Sequence, residues 1–171
     1  MADATALMRG KRGLIMGVAN NRSIAWGIAK AAHAHGAELA FTYQGDALKK
    51  RVEPLAAEVG GLVVGHCDVT DEASLDAAFA AVKEKWGALD FVLHAIAFSD
   101  KDQLVGRYVD TTAENFSKTL AISCYSFTAV AQRAQHVTPL GHGLRCFAGG
   151  ELPFSDTCGC AQCFRVPCAE L

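Results

Sequence analysis

Gly13-Leu14-Ile15-Met16-Gly17-Val18-Ala19-Asn20-Asn21-Arg22-Ser23-Ile24-Ala25-Trp26-Gly27 is the stretch whose reading decides the fold. Its opening, Gly13 to Val18, is a short apolar run broken by Gly17, the signature of a buried strand running into a loop. From Ser23 the period changes. Ile24, Ile28 and Ala31 recur at helical spacing up to Gly36, so the segment reads as strand, loop and helix, with those three residues as the helix's apolar anchors.

The same unit repeats along the chain. Glu38 to Tyr43 (ELAFTY) predicts a second strand, and Ala47 to Val59 a helix that stops at Gly60-Gly61. Leu62 to Cys67 (LVVGHC) is a third strand, Asp71 to Trp86 a helix with Leu75, Phe79 and Val82 on one face, and Phe91 to His94 a fourth strand. Strands and helices that alternate with short links force parallel pairing, because each helix carries the chain back to the starting edge. The expected fold class is therefore α/β, a Rossmann-like doubly wound parallel sheet. Its crossovers are right-handed, which gathers the loops after the strands at one edge, where ligands bind in this architecture. A loop, Ala95 to Thr111, and one long helix, Ala113 to about Gln135 with Phe116, Leu120, Phe127 and Val130 as anchors, complete the periodic part. A fifth strand should follow, and no apolar run announces one.

Composition narrows the function classes. The 171 residues suit one domain, and 51% hydrophobic with 20% charged residues leaves ample material for a core. A net charge of -2 with scattered basic residues, the longest run being Lys49-Lys50-Arg51, argues against a nucleic-acid or membrane-surface partner. No signal-peptide stretch or apolar window of spanning length occurs, and the expected location is cytoplasmic.

The loops at the expected ligand edge carry the candidate site. After the first strand, Gly17 and its small neighbours let the backbone approach a pyrophosphate, and the following helix directs its N-terminal N–H groups at that anion. Ser23 stands where it could cap that helix and donate to phosphate; an ordinary turn with a Ser cap would read the same way, and the strict G-x-G-x-x-G spacing is absent. Gln44 ends the second strand, at the position that commonly holds an acidic ribose ligand, and its neutral amide leaves the choice between NADH and NADPH unsettled by charge, with NADH favoured. Lys49, Lys50 and Arg51, a turn later, read as a solvated face. Asp68 ends the third strand, placed to accept from the exocyclic amine of adenine while the Val69 backbone reads the ring edge; a turn or cap role is the alternative. After the fourth strand, Ala95 and Ala97 are small enough for close backbone passage, and Ile96 offers an apolar wall. His94 reads as a satisfied core histidine rather than a catalytic one.

Four such loops in this order resemble the divergent branch of the short-chain dehydrogenase/reductase superfamily, the bacterial type I NADH-dependent enoyl-acyl-carrier-protein reductases. The resemblance rests on Gly17-Val18-Ala19 with Ser23-Ile24-Ala25-Trp26-Gly27, on residues 36–44 (GAELAFTYQ), on Cys67-Asp68-Val69 and Asp102-Gln103-Leu104, and on Tyr125-Ser126-Phe127. It covers residues 7 to about 135. It implies that Gly17, Ser23, Ile24, Gln44, Asp68, Val69 and Ile96 contact NADH, and that Ser99 lies near an acyl-carrier-protein-linked enoyl substrate. It further implies an oxidoreductase of fatty-acid biosynthesis that passes hydride to the β-carbon of a trans-2-enoyl thioester, and a homotetramer as the family's usual assembly.

In that family a Tyr stabilises the enolate oxygen and a Lys seven residues later holds the nicotinamide ribose; a donor of this kind is worth about 10²- to 10³-fold in rate. Continued without gaps, the pattern places the family's two tyrosines and its lysine on Gly150, Cys160 and Pro167. Beyond Lys118 the chain has no Lys, and its one Tyr is Tyr125, inside the long helix. No catalytic residue is therefore assigned, and a non-catalytic dinucleotide-binding module is the alternative function.

Residues 1–135 are expected to form the dinucleotide-binding domain and 136–171 a divergent, frameshifted or disordered tail. That tail holds five of the seven cysteines and three of the four prolines. Cys158-x-Cys160-x-x-Cys163 with Cys168 and His142 has thiolate spacing for zinc but no paired C-x-x-C pattern, and no metal site is assigned. A change of reading frame near residue 135 accounts for the loss of motif, period and length together. A four-stranded sheet ending there would leave an apolar edge open and promote aggregation.

Overall fold

A computed structural model describes residues 6–138 and 145–148. Five parallel strands form one sheet: β1 (Arg12–Met16), β2 (Glu38–Tyr43), β3 (Leu62–His66), β4 (Phe91–His94) and β5 (Arg145–Ala148). Their order is β3-β2-β1-β4-β5. The chain thus winds outward from β1 in one direction, returns, and winds outward in the other, leaving a crevice at the carboxyl ends of β1 and β4 where the direction reverses.

Alternation along the strands explains why both faces carry helices. On one face Leu14, Met16 and Val92 pack against Leu75, Phe79 and Val82 of α3 (Glu72–Trp86) and against Val130 and Ala134 of α5 (Ser126–Ala134). On the other, Ile15, Phe41 and Leu93 meet Trp26 and Ala29 of α1 (Ile24–Ala34) and Val52 and Ala56 of α2 (Gly45–Glu58). Strands buried on both faces read as continuous apolar runs, and those runs are what made β1 and β4 visible in the sequence. α3 is stopped at both ends by local chemistry. The Asp71 carboxylate accepts from the Ala73 amide at 3.0 Å, and Gly87 takes the left-handed conformation, φ 70°, that closes the last turn.

Three expectations are corrected. A fifth strand is present: Arg145–Ala148 pairs with β4 from Phe91↔Arg145 to His94↔Ala148. Four residues are too few to show a period, and parallel pairing is made by backbone groups, which composition does not advertise. The open edge expected at β4 is accordingly closed by β5. Second, α1 faces the sheet with Ala25, Trp26, Ala29 and Ala32, while Ile24 and Ile28 are 54% and 39% exposed. Ala25, Ala29 and Ala32 let the helix approach the sheet around the buried Trp26, and the spacing of Ile24, Ile28 and Ala31 marks its outer side. Third, the long helix is not continuous. α4 (Ala113–Leu120) runs into a π-helical turn, Ala121–Tyr125, before α5 begins, and Phe116 and Leu120, expected as anchors, are 41% and 40% exposed. The loop expected between β4 and α4 is present and contains two short 3-10 turns, Lys101–Leu104 and Tyr108–Asp110. Among the described residues no helix is long and apolar enough to cross a membrane.

Candidate dinucleotide site

The carboxyl ends of β1 to β4 and the π-turn enclose a cavity of about 530 Å³. Gly17, Gln44, Asp68, Val69 and Ile96, five of the seven residues expected to hold a cofactor, line it.

Gly17 is fixed by sterics. It has φ 91°, and a Cβ built on it would lie 2.0 Å from the carbonyl oxygen of Ala95. Only glycine combines that backbone conformation with such close passage of the β4 loop. The Ala95 amide in turn donates to the Met16 carbonyl at 3.1 Å, so the two loops leave the sheet locked together. Ser23 and Ile24, the remaining two candidates, stand at the N-terminus of α1 outside the cavity walls. Ser23 occupies the cap position, but its hydroxyl donates to the Asn20 carbonyl at 2.7 Å and makes no cap bond to the helix. The side-chain cap suggested by the sequence is therefore not formed.

At the far end the β2 and β3 loops are joined by their most distinctive residues. Gln44 Nε2 donates to Asp68 Oδ2 at 2.8 Å, and Asp68 Oδ1 accepts from the Thr70 amide at 2.8 Å and the Thr70 hydroxyl at 2.7 Å. The Thr70 hydroxyl, then the Thr70 amide, and more weakly Gln44 hold the Asp68 carboxyl below its ordinary range. An ionised carboxylate only accepts, so Gln44 must present its amide nitrogen to Asp68 and keep its carbonyl oxygen for another donor. Beside them burial pushes the Cys67 thiol up to about 12, with the Asp68 charge adding to the effect, so this cysteine is an inert wall. Lys49 lies 5.9 Å from the Tyr43 ring centroid and 3.9 Å from the Glu53 carboxylate, which suits a solvated face better than a phosphate clamp.

The near end is apolar. Ala95, Ile96 and Ala97 face Ala121 and Ile122 of the π-turn across the cavity. Lys118 closes its lip, bonded to Asp100 at 2.8 Å with its ammonium 4.9 Å from the Phe98 ring centroid. Ser99 lies beside this lip and not in the wall. Its hydroxyl accepts from Thr119 at 3.1 Å and from the buried Asn115 amide at 3.2 Å. His94 is a buried, hydrogen-bonded core residue, 2.7 Å from the Ser126 hydroxyl.

Sequence reasoning missed Lys118, Ala121 and Ile122. Ala121 and Ile122 belong to the π-turn and Lys118 to the α4 turn before it, and a helical period reads straight through such a turn. Among the described residues no cluster of metal-ligating side chains occurs. The Cys158, Cys160, Cys163 and Cys168 group with His142, and Gly150, Cys160 and Pro167, lie outside the described residues.

With this geometry in place the comparisons are decisive. The family model described as enoyl-(acyl carrier protein) reductase matches residues 17–144. The chain belongs to that family. The enoyl-[acyl-carrier-protein] reductase [NADH] 1 of Rhizobium meliloti is 69% identical over 137 residues, which are 80% of this chain and 50% of that protein. The crystal structure of the Anaplasma phagocytophilum enoyl-acyl-carrier-protein reductase in complex with NAD superposes with a TM-score of 0.73 at 56% identity, covering 76% of this chain and 50% of that one. A Bacillus cereus member of the family, solved with NADP+ and an indole naphthyridinone, gives a TM-score of 0.74 at 44% identity over 77% of this chain and 52% of that one. The chain thus spans about half the length of the enoyl reductases it matches.

Proposed function

We propose that the cavity binds NADH and that the chain carries the cofactor-binding half of an NADH-dependent enoyl-acyl-carrier-protein reductase. The observation that supports this most strongly is the Gln44–Asp68 pair at the β2 and β3 ends, opposite an apolar chamber at the β1 and β4 ends. Asp68 retains acceptor capacity for the adenine amine, with the Val69 backbone beside it. The Gln44 carbonyl oxygen accepts from a ribose hydroxyl, a donor that a 2′-phosphate in its place would not supply. Gly17 keeps the pyrophosphate path open, and the α1 N-terminus, with Ser23 and Ile24, faces the anion. Ile96 and Ile122 exclude water from the near end. The donor set and the chamber both fit the cofactor, which when bound supplies hydride for the β-carbon of a trans-2-enoyl thioester delivered on acyl carrier protein in fatty-acid biosynthesis.

Ser99 belongs near the acyl group in this reading. The residue types at 150, 160 and 167 also favour a second reading, a dinucleotide-binding module without catalysis, because none of Gly, Cys and Pro at these positions supplies the family's Tyr or Lys. One pair of assays separates the two readings. Saturable NADH binding with little or no oxidation of NADH by crotonyl thioester supports the module; turnover at a rate typical of whole family members would establish a working reductase. Failure to bind NADH would defeat both.

A further inference from the structure

His94 is a buried titratable side chain to which the cofactor reading gives no role. It ends β4, is 2% exposed, and its ring meets Phe127 edge-on with centroids 5.8 Å apart. Its Nε2 lies 2.7 Å from Ser126 Oγ, and the Ser126 hydroxyl donates its single proton to the Ile122 carbonyl four residues back. With that proton committed, Oγ accepts from Nε2 in the tautomer that carries the ring proton there. The chain of bonds starts at the π-turn. There the Ser126 amide bonds the Ala121 carbonyl, one residue further back than an α-helix would allow, which leaves the Ile122 carbonyl without its usual amide partner. The Ser126 hydroxyl takes up that carbonyl, and His94 holds the hydroxyl in place.

The two ends of this chain are opposite walls of the chamber. His94 directly precedes Ala95, Ile96 and Ala97 on one side, while Ala121 and Ile122 form the other. We propose that His94 is a positioning residue which, through Ser126, sets the separation of the β4 strand end from the π-turn, alongside the Ser123 hydroxyl that accepts from the Phe98 amide at 3.1 Å, and so shapes the chamber that receives the nicotinamide end of the cofactor. This rests on the NADH reading given above. Burial drives the ring's pKa down to about 4, so the ring is neutral well above that pH. Among the described residues its partners are Ser126 on α5, the ring of Phe127 and its own backbone.

The test uses the 171-residue chain and two probes, NADH and AMP, because AMP reaches only the Gln44–Asp68 end. His94→Phe keeps an aromatic ring but removes the donor; His94→Gln places an amide donor near the position of Nε2; Ser126→Ala removes the relay from the other side. The expected result is NADH binding weakened at least about fivefold in His94→Phe and in Ser126→Ala, AMP binding within about twofold of the parent, and substantial recovery of NADH binding in His94→Gln. Should His94→Phe fail to fold, Ser126→Ala and His94→Gln carry the same comparison. Parallel loss of AMP and NADH, or NADH binding unchanged in the variants, would overturn the proposal. A parent chain that binds neither probe would overturn the NADH reading and this one with it.

Discussion

Gly17, Asp68 and His94 each make a claim that one substitution tests. Gly17→Ala forces a Cβ to within 2.0 Å of the Ala95 carbonyl at a positive φ, so the β1 and β4 loops must part. The expected cost is about 1–3 kcal/mol in denaturant melts, together with loss of measurable NADH binding. Asp68→Asn lets the facing amides of residues 44 and 68 choose orientation freely. NADH should bind the parent chain more tightly than NADPH, and the variant should lose about tenfold for NADH while the gap between the cofactors narrows, as read by fluorescence titration. His94 sets a pH dependence whose direction follows from its lowered pKa. The unfolded imidazole takes up a proton near pH 6.5 and the folded one only near about 4, so stability is whole above pH 6.5 and declines as the pH falls toward 4. The loss over that window is on the order of 3 kcal/mol, and in His94→Gln it should vanish from a pH series of urea melts. The places of Gly17, Gln44 and Asp68 at the strand ends and along the cavity wall were legible in the sequence, because strand ends in a doubly wound sheet are few. The bond between Gln44 and Asp68, 24 residues apart in the chain, follows only once β2 and β3 are neighbours.

At the scale of elements, apolar runs identified β1 to β4, and the Leu75, Phe79 and Val82 period oriented α3 correctly. The spacing of Ile24, Ile28 and Ala31 in α1 marks a helical side that proves to be the outer one, since Ala25, Trp26, Ala29 and Ala32 meet the sheet. Two substitutions one residue apart test the observed orientation. Ala29→Leu overfills the contact between α1 and the sheet and should cost about 1–3 kcal/mol, whereas Ile28→Gln should stay within about 0.5 kcal/mol of the parent. The opposite ranking in thermal melts would restore the face that the sequence suggested. The π-turn was hidden for a different reason. Its residues, Ala121-Ile122-Ser123-Cys124-Tyr125, carry no composition that distinguishes them from an α-helical turn, and the bonds that define it lie in the backbone and in Ser126. β5 was too short for periodic reading, and its register with β4 is visible only in three dimensions.

For the molecule as a whole, fold and family agree with the sequence reading, and the C-terminal part is where that reading was weakest. Val137 packs into the core and its carbonyl accepts from the Leu89 amide at 3.2 Å, so the folded unit continues past the last residue of α5. β5 then makes β4 an interior strand. In the proposed complex NADH lies across the carboxyl ends of β1 to β4 with its nicotinamide end against the π-turn. Hydrogen-exchange mass spectrometry of the full chain, with and without saturating NADH, tests it most directly. Binding there should add protection in peptides spanning 17–24, 43–48, 67–70, 95–98 and 119–126, with little change in α3 away from its first turn. Protection confined to other regions, or none at NADH concentrations that saturate binding, would contradict it.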